Sequence, residues 1–216
     1  MKMLRAYLLD LDGTLVANEP LKARAFAEAC RHFGGQADPM LYGQVLGTNL
    51  AKATDIFTRH AGISPDHRDY HERYSATYQA YFDREAVLTP GAEDLIRHAK
   101  GNGIKLAVVS SASSRMVAGV LSRFGLSSAF DVLVTQEEVT SHKPDPEPYR
   151  LGLARLDIDP RDALAFEDSA PGLMAASAAG CACIAIRHAF NADHDFSRAQ
   201  KVVQDFHGYL RDLPRP

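Results

Sequence analysis

Cysteine is scarce in this chain. Its 216 residues include only three, Cys30, Cys181 and Cys183, an odd and sparse set that does not make a disulfide framework. Cys181-Ala182-Cys183 has the look of a metal pair, but no further ligands at suitable spacing accompany it. It sits in an apolar run through residue 186, where a free thiol packs as a small hydrophobe. Long hydrophobic runs are missing too, and no stretch approaches the length of a membrane span. The apolar run behind Lys2 and Arg5 is cut at Asp10, too short for a signal-peptide core. A cytoplasmic protein without a membrane partner is the expectation. Nor is there a surplus of one charge: 24 Lys and Arg stand against 27 Asp and Glu, a formal net charge of −3. That balance excludes a general attraction to nucleic acid or anionic lipid, so affinity for an anion has to come from locally placed groups. Internal repeats and low-complexity segments are absent as well. What remains is ordinary globular composition, 46% hydrophobic and 24% charged, at a length suited to one large domain or a core with an inserted module.

Short apolar runs at 6–9, 104–109, 132–134, 163–166 and 181–186 read as strands, with helices between them at 115–124, from about 147, and from Pro171-Gly172 to Gly180. This alternation implies an α/β fold, a Rossmann-like parallel sheet covered on both faces. The block 16–88 breaks the pattern and reads as helices only. Phe26, Cys30 and Phe33 mark one face of a helix over 21–33. Leu50, Ala53 and Phe57 mark another over 50–60. Ser64-Pro65 is expected to open a third, with Ser64 as its cap. Tyr70, Tyr74, Tyr78 and Tyr81 recur there at helical spacing and are expected to pack the block's interior. His67 and His71, four apart, are read as solvated histidines, since no third ligand is at hand. Thr89-Pro90 then starts a helix that returns to the sheet. The expected organisation is a core of residues 1–15 and 89–216 with a helical cap, 16–88, inserted after the first strand. The tail after Leu213 is expected to fray.

In such sheets ligands bind beyond the carboxyl ends of the strands. Four of these ends carry polar residues: Asp10 and Asp12; Ser110 and Ser111; the loop to Lys143; and Glu167 with Asp168. Two carboxylates at i and i+2 can bind a hard cation or divide the roles of nucleophile and proton donor, and Gly13 permits a tight turn behind them. Asp-x-Asp-Gly also occurs in turns and calcium loops, but Leu15 and Val16 bring no side-chain oxygen to such a loop. Asp168 or Ser169 can cap the helix at Pro171, and together with Asp10 the Glu167-Asp168 pair forms an oxygen-rich site suited to Mg2+. Ser110 offers a hydroxyl and backbone amides to a phosphate, and Lys143 a positive charge.

The run Leu8-Leu9-Asp10-Leu11-Asp12-Gly13-Thr14-Leu15, then Ser110, Lys143-Pro144 and Glu167-Asp168, resembles the haloacid dehalogenase superfamily in order and context across essentially the whole chain. The resemblance implies a phosphoaspartate on Asp10, with Asp12 protonating the leaving oxygen and later activating water. It implies Mg2+ held by the Asp10 and Asp168 side chains and the Asp12 carbonyl, with Glu167 nearby. Ser110, Ser111 and Lys143 would hold the phosphoryl group. Dehalogenases and phosphonate hydrolases of that superfamily lack an aspartate where this chain has Asp12, which favours phosphate-ester chemistry.

The layout is similar to the β-phosphoglucomutase-like branch, which also contains sugar and polyol phosphatases. Ala17 and Lys22 stand where members often have aspartate and histidine, and Leu50 stands where the mutases carry a basic residue. A bisphosphate intermediate needs two anion sites, so the expected activity is hydrolysis of a small phosphorylated sugar or polyol. A phosphohexomutase is the alternative, and a non-catalytic phosphometabolite-binding protein a further one. Glu19, Lys22 and Asn49 are the candidates for cap-side substrate contacts, and the protein is expected as a monomer or weak dimer.

Overall fold

A computed structural model describes residues 4–213, so the tail beyond Leu213 lies outside the described residues. The chain forms two compact units. One comprises residues up to Val16, Leu88–His188 and the stretch from His194 onward; the other comprises Ala17–Val87 together with Ala189–Asp193.

In chain order the helices are α1 (Glu19–His32), α2 (Leu50–Ala61), α3 (His67–Glu85), α4 (Ala92–Gly101), α5 (Ser114–Arg123), α6 (Glu147–Leu156), α7 (Ala170–Ala178) and α8 (Phe206–Leu210). In the first unit, β1 (Ala6–Leu9), β2 (Lys105–Val109), β3 (Val132–Val134), β4 (Ala163–Glu167), β5 (Ala182–Ile186) and β6 (Lys201–Val203) form one sheet. Every neighbouring pair is parallel, and the order is β3-β2-β1-β4-β5-β6. This is the Rossmann-like architecture expected from the alternating runs. All four residues of β1 and all five of β4 are buried, as strands covered on both faces must be. On one face Leu8, Val109 and Ala165 pack with Tyr149 and Leu153 of α6 (Glu147–Leu156) and Leu173 of α7 (Ala170–Ala178). The other face carries an aromatic cluster, with the Phe166 ring 5.4 Å from Tyr7, 5.3 Å from Phe206 and 5.0 Å from Tyr209.

Strand order reverses between β1 and β4, which are register partners from Ala6↔Ala163 to Leu9↔Phe166. A crevice opens where a parallel sheet reverses direction, because the flanking connections leave to opposite faces. Asp10 follows β1 and Asp168 follows β4, so the reversal brings the two acidic strand ends side by side.

β6 and the five-residue helix Phe206–Leu210 have no counterpart in the sequence reading. A three-residue strand and a five-residue helix are too short to show a period. Two helix starts also differ. Ser64 does not cap the helix His67–Glu85: Asp66 does, its carboxylate accepting from the amides of Arg68 (2.8 Å) and Asp69 (3.3 Å). An acid there also complements the helix dipole. The helix after Thr89-Pro90 spans Ala92–Gly101, entered through Gly91 at φ +82°. A Cβ on Gly91 would come within 2.6 Å of the His207 amide nitrogen, so both conformation and space demand glycine.

The second unit is helical: Glu19–His32, Leu50–Ala61 and His67–Glu85, with a 3-10 turn at Pro39–Gln44. Tyr70 and Tyr74 are buried, and the Phe26 ring lies 4.1 Å from Tyr74 and 4.8 Å from Phe57. The tyrosine stripe therefore packs this unit's interior, as its spacing implies. His67 and His71 pair separately, with Asp55 at 3.2 Å and Thr54 at 2.9 Å. All three cysteines are free and buried.

Candidate active site

The site is built on the tight loop that ends β1. Gly13 takes φ +76°, its amide donates to the Val16 carbonyl at 2.8 Å, and the Val16 amide donates to Leu11 at 2.9 Å. The chain thus turns back at once, leaving Asp10 nearly buried and Asp12 partly exposed.

Lys143 is the hub. Its ammonium donates to Asp10 Oδ1 (2.6 Å), Glu167 Oε1 (2.6 Å) and the Val109 carbonyl (2.9 Å), a use for each of its three protons. Burial alone would lower its pKa, but the Asp10 and Glu167 carboxylates outweigh burial and raise it, so it stays a cation. Asp10 is pushed well above the ordinary carboxylate range, chiefly by burial; Lys143 pulls it down while Glu167 and Asp168 push it further up.

Glu167 is wholly buried. Its Oε1 accepts from Lys143 and from the Tyr149 hydroxyl at 2.8 Å. Its Oε2 faces the amides of Asp168 and Ser169 at 3.2 and 3.4 Å and the Ser169 hydroxyl at 3.1 Å. The carboxylate lies on the first turn of α7, where amide protons and dipole favour an anion. Ser169, not Asp168, caps that helix, accepting from Gly172 at 3.1 Å. A Cβ on Gly172 would lie about 2.0 Å from the Glu167 carboxyl group, so Gly172→Ala has to displace it. We expect that variant to lose about 1–3 kcal/mol of stability together with activity, read by urea unfolding and phosphate release. Tyr149→Phe keeps the ring, whose centroid is 5.3 Å from Lys143 Nζ, but removes the buried donor to Glu167. Its expected cost is about 1.5–3 kcal/mol, with kcat falling more than KM; unchanged melting and kcat would count against a role for the hydroxyl.

Asp10, Glu167 and Asp168 each present an oxygen within 4.8 Å of the others, and all three are buried. Lys143 pairs with Asp10 and Glu167 but not with Asp168, and the donors of the cluster are all hard oxygens. These residues fit Mg2+. Glu167's oxygens are already spent on Lys143, Tyr149 and the start of α7, which leaves Asp10 and Asp168 better suited to ligate. The Asp12 carboxylate is not among the three.

Ser110 is buried at the end of β2. Its amide donates to the Val134 carbonyl at 2.9 Å, and its Oγ accepts from the Ala112 amide at 3.0 Å. Its own amide therefore belongs to the sheet, and the hydroxyl proton is what the residue itself can offer a phosphate. Ser111 is exposed. Glu19, Lys22 and Asn49 belong to the second unit. There Lys22 donates to Glu19 at 2.9 Å, and Asn49 caps the helix Leu50–Ala61 by accepting from the Lys52 amide.

Two residues escaped the sequence reading. Tyr149 lies six positions after Lys143, and only the fold turns it under Glu167. His188 lies just beyond β5, and its Nε2 is 2.9 Å from Asp168 Oδ2. The rule that strand ends carry the chemistry pointed toward it.

Residues 7–186 match the family model described as haloacid dehalogenase-like hydrolase. Protein CbbY of Cereibacter sphaeroides is 36% identical, covering 94% of this chain and 93% of that protein. The phosphorylated carbohydrates phosphatase of Thermotoga maritima is 30% identical, with 82% of each chain covered. A crystal structure of a CbbY variant from Rhodobacter sphaeroides in complex with xylulose-(1,5)bisphosphate superposes with a TM-score of 0.79 at 34% identity, covering 94% of this chain and 95% of that one. The chain belongs to the haloacid dehalogenase-like hydrolase family and is a phosphoric monoester hydrolase.

Proposed function

We propose that this enzyme is a Mg2+-dependent phosphatase of small phosphorylated sugars or polyols, working through a phosphoaspartate on Asp10. The observation that carries the reading is the buried group at the sheet's reversal point: Asp10, Glu167 and Asp168 together, with Lys143 bridging the first two. Asp10 attacks phosphorus as Asp12 gives a proton to the leaving ester oxygen, and Asp12 then takes a proton from the water that cleaves the acyl phosphate. The hydroxyl of Ser110 donates to the phosphoryl oxygens, and Lys143 redirects to them the donor it now gives Asp10 Oδ1 as that oxygen attacks. Asp10 and Asp168, with the Asp12 carbonyl, would hold Mg2+, which supplies the charge that lets one anion approach another. Positioning and neutralisation are most of what phosphoryl transfer asks of a protein. Glu19, Lys22 and Asn49 are the residues we assign to contacts with the sugar or polyol. The names of the T. maritima phosphatase and of the CbbY complex support a carbohydrate ester as substrate.

The test is a panel of phosphorylated metabolites: hexose 1- and 6-phosphates, polyol phosphates and a ketopentose bisphosphate, assayed for inorganic phosphate. Release that stops with EDTA and returns with Mg2+ supports the reading. Interconversion of hexose 1- and 6-phosphates without phosphate release would replace it with a mutase. Binding of an ester with no turnover of any would replace it with a binding protein.

A further inference from the structure

We infer that His188 is a positioning residue for the metal site: it holds one oxygen of Asp168 so that the other is directed at the cation. The inference rests on the proposed Mg2+ role of Asp168. His188 Nε2 lies 2.9 Å from Asp168 Oδ2, the aspartate side chain being 4% exposed and the histidine 21%. A carboxylate oxygen is an acceptor, so the imidazole donates.

The backbone on both sides of this contact is fixed. Asp168 follows the last residue of β4, and Glu167 is in register with Ala185 of β5. The Arg187 amide, next to His188, donates to the Val203 carbonyl of β6 at 2.7 Å. After His188 the chain enters Ala189–Asp193, which belongs to the second unit. There the Phe190 ring meets Tyr42 edge-on at 5.8 Å, and a Cβ on Gly43 would lie 2.8 Å from the Phe190 carbonyl. On the side of the sheet the histidine is thus held directly after a backbone contact with β6.

A buried aspartate beside two other carboxylates is repelled by them and can rotate about its side-chain bonds. A donor on one oxygen removes that freedom before any cation arrives, and ligands braced in this way bind metal more tightly. Glu167 is braced by Lys143, Tyr149 and α7, and Asp10 by Lys143; His188 does the same for Asp168.

The experiment is Mn2+ binding to the full chain, followed by the loss of free-Mn2+ EPR signal, beside the Mg2+ dependence of kcat on a substrate from the panel. His188→Ala is expected to weaken Mn2+ binding by about tenfold or more. It should raise the half-saturating Mg2+ in parallel, with kcat at saturating Mg2+ within about twofold of the parent. His188→Gln, which can place an amide N–H near the Nε2 position, is expected to restore most of the affinity. His188→Leu replaces the alanine variant if that one does not fold. Unchanged Mn2+ affinity in the alanine or leucine variant overturns the inference. So does a glutamine variant as weak as alanine, or a loss of kcat that persists at saturating metal. Asp168→Ala separates the two levels: if it abolishes Mn2+ binding while His188→Ala does not weaken it, only the role of His188 fails. If Asp168→Ala leaves Mn2+ binding intact, the metal assignment fails and this inference with it.

Discussion

An Asp10→Asn protein is expected to be inactive and yet, without metal, at least as stable as the parent. Phosphate release should fall by about 10^4-fold or more, the scale on which an enzyme loses a nucleophile. The stability half follows from the charges. Burial and the neighbouring Glu167 and Asp168 hold Asp10 above its ordinary pKa, so its charged form is penalised in the native state. An acid raised on folding keeps its proton longer in the folded chain than in the unfolded one, and its ionisation costs stability as pH rises. Asparagine cannot ionise and escapes that cost. Thermal melts in EDTA near neutral pH should therefore place Asp10→Asn level with or above the parent. A large loss of stability would mean that the pair with Lys143 outweighs the repulsion.

Lys143→Ala should do the opposite on the stability axis. It removes the cation that Asp10 and Glu167 share inside the protein, the Lys143 side chain being 7% exposed and that of Glu167 wholly buried. Breaking a buried pair from one side costs about 3–5 kcal/mol, and the Val109 carbonyl loses its donor as well. With lysine gone the Asp10 pKa, which Lys143 pulls down, rises further, the native chain binds more protons than the unfolded one, and stability should fall as pH rises. Activity should drop on the order of 10^2–10^3-fold or more, as when a donor to the transition-state charge is removed. Arginine is not expected to rescue, because its planar fork cannot reach three acceptors set around one tetrahedral nitrogen. Urea unfolding at two pH values, with kcat alongside, checks both halves. A Lys143→Ala protein as stable as the parent would contradict the hub role.

The contrast between these variants shows what the sequence could and could not carry. Asp10, Lys143 and Asp168 were legible because each closes an apolar run or sits in a Pro-bounded loop, and parallel sheets put such ends on one edge. Strand order was not legible, since β6 is only three residues long and the reversal between β1 and β4 depends on crossovers. Glu167 was legible as an acid but not as a spent one. That both of its oxygens are engaged depends on Tyr149 of α6 and on the backbone of α7. Likewise Ser110 read as a source of amides, whereas its own amide belongs to the sheet ladder with Val134. The membership of Ala189–Asp193 in the second unit has no local signal at all, because its partners at Tyr42 and Gly43 lie far away in the chain.

On the proposed mechanism, phosphorus passes through Asp10. The most direct test is to quench the enzyme in acid during turnover of its best substrate, reduce with borohydride, and map the modified peptide by mass spectrometry. Reduction of the side chain at position 10 to the alcohol is expected, dependent on both substrate and Mg2+. Turnover with Asp10 unmodified and phosphate passing straight to water, or with the modification on another carboxylate, would contradict it.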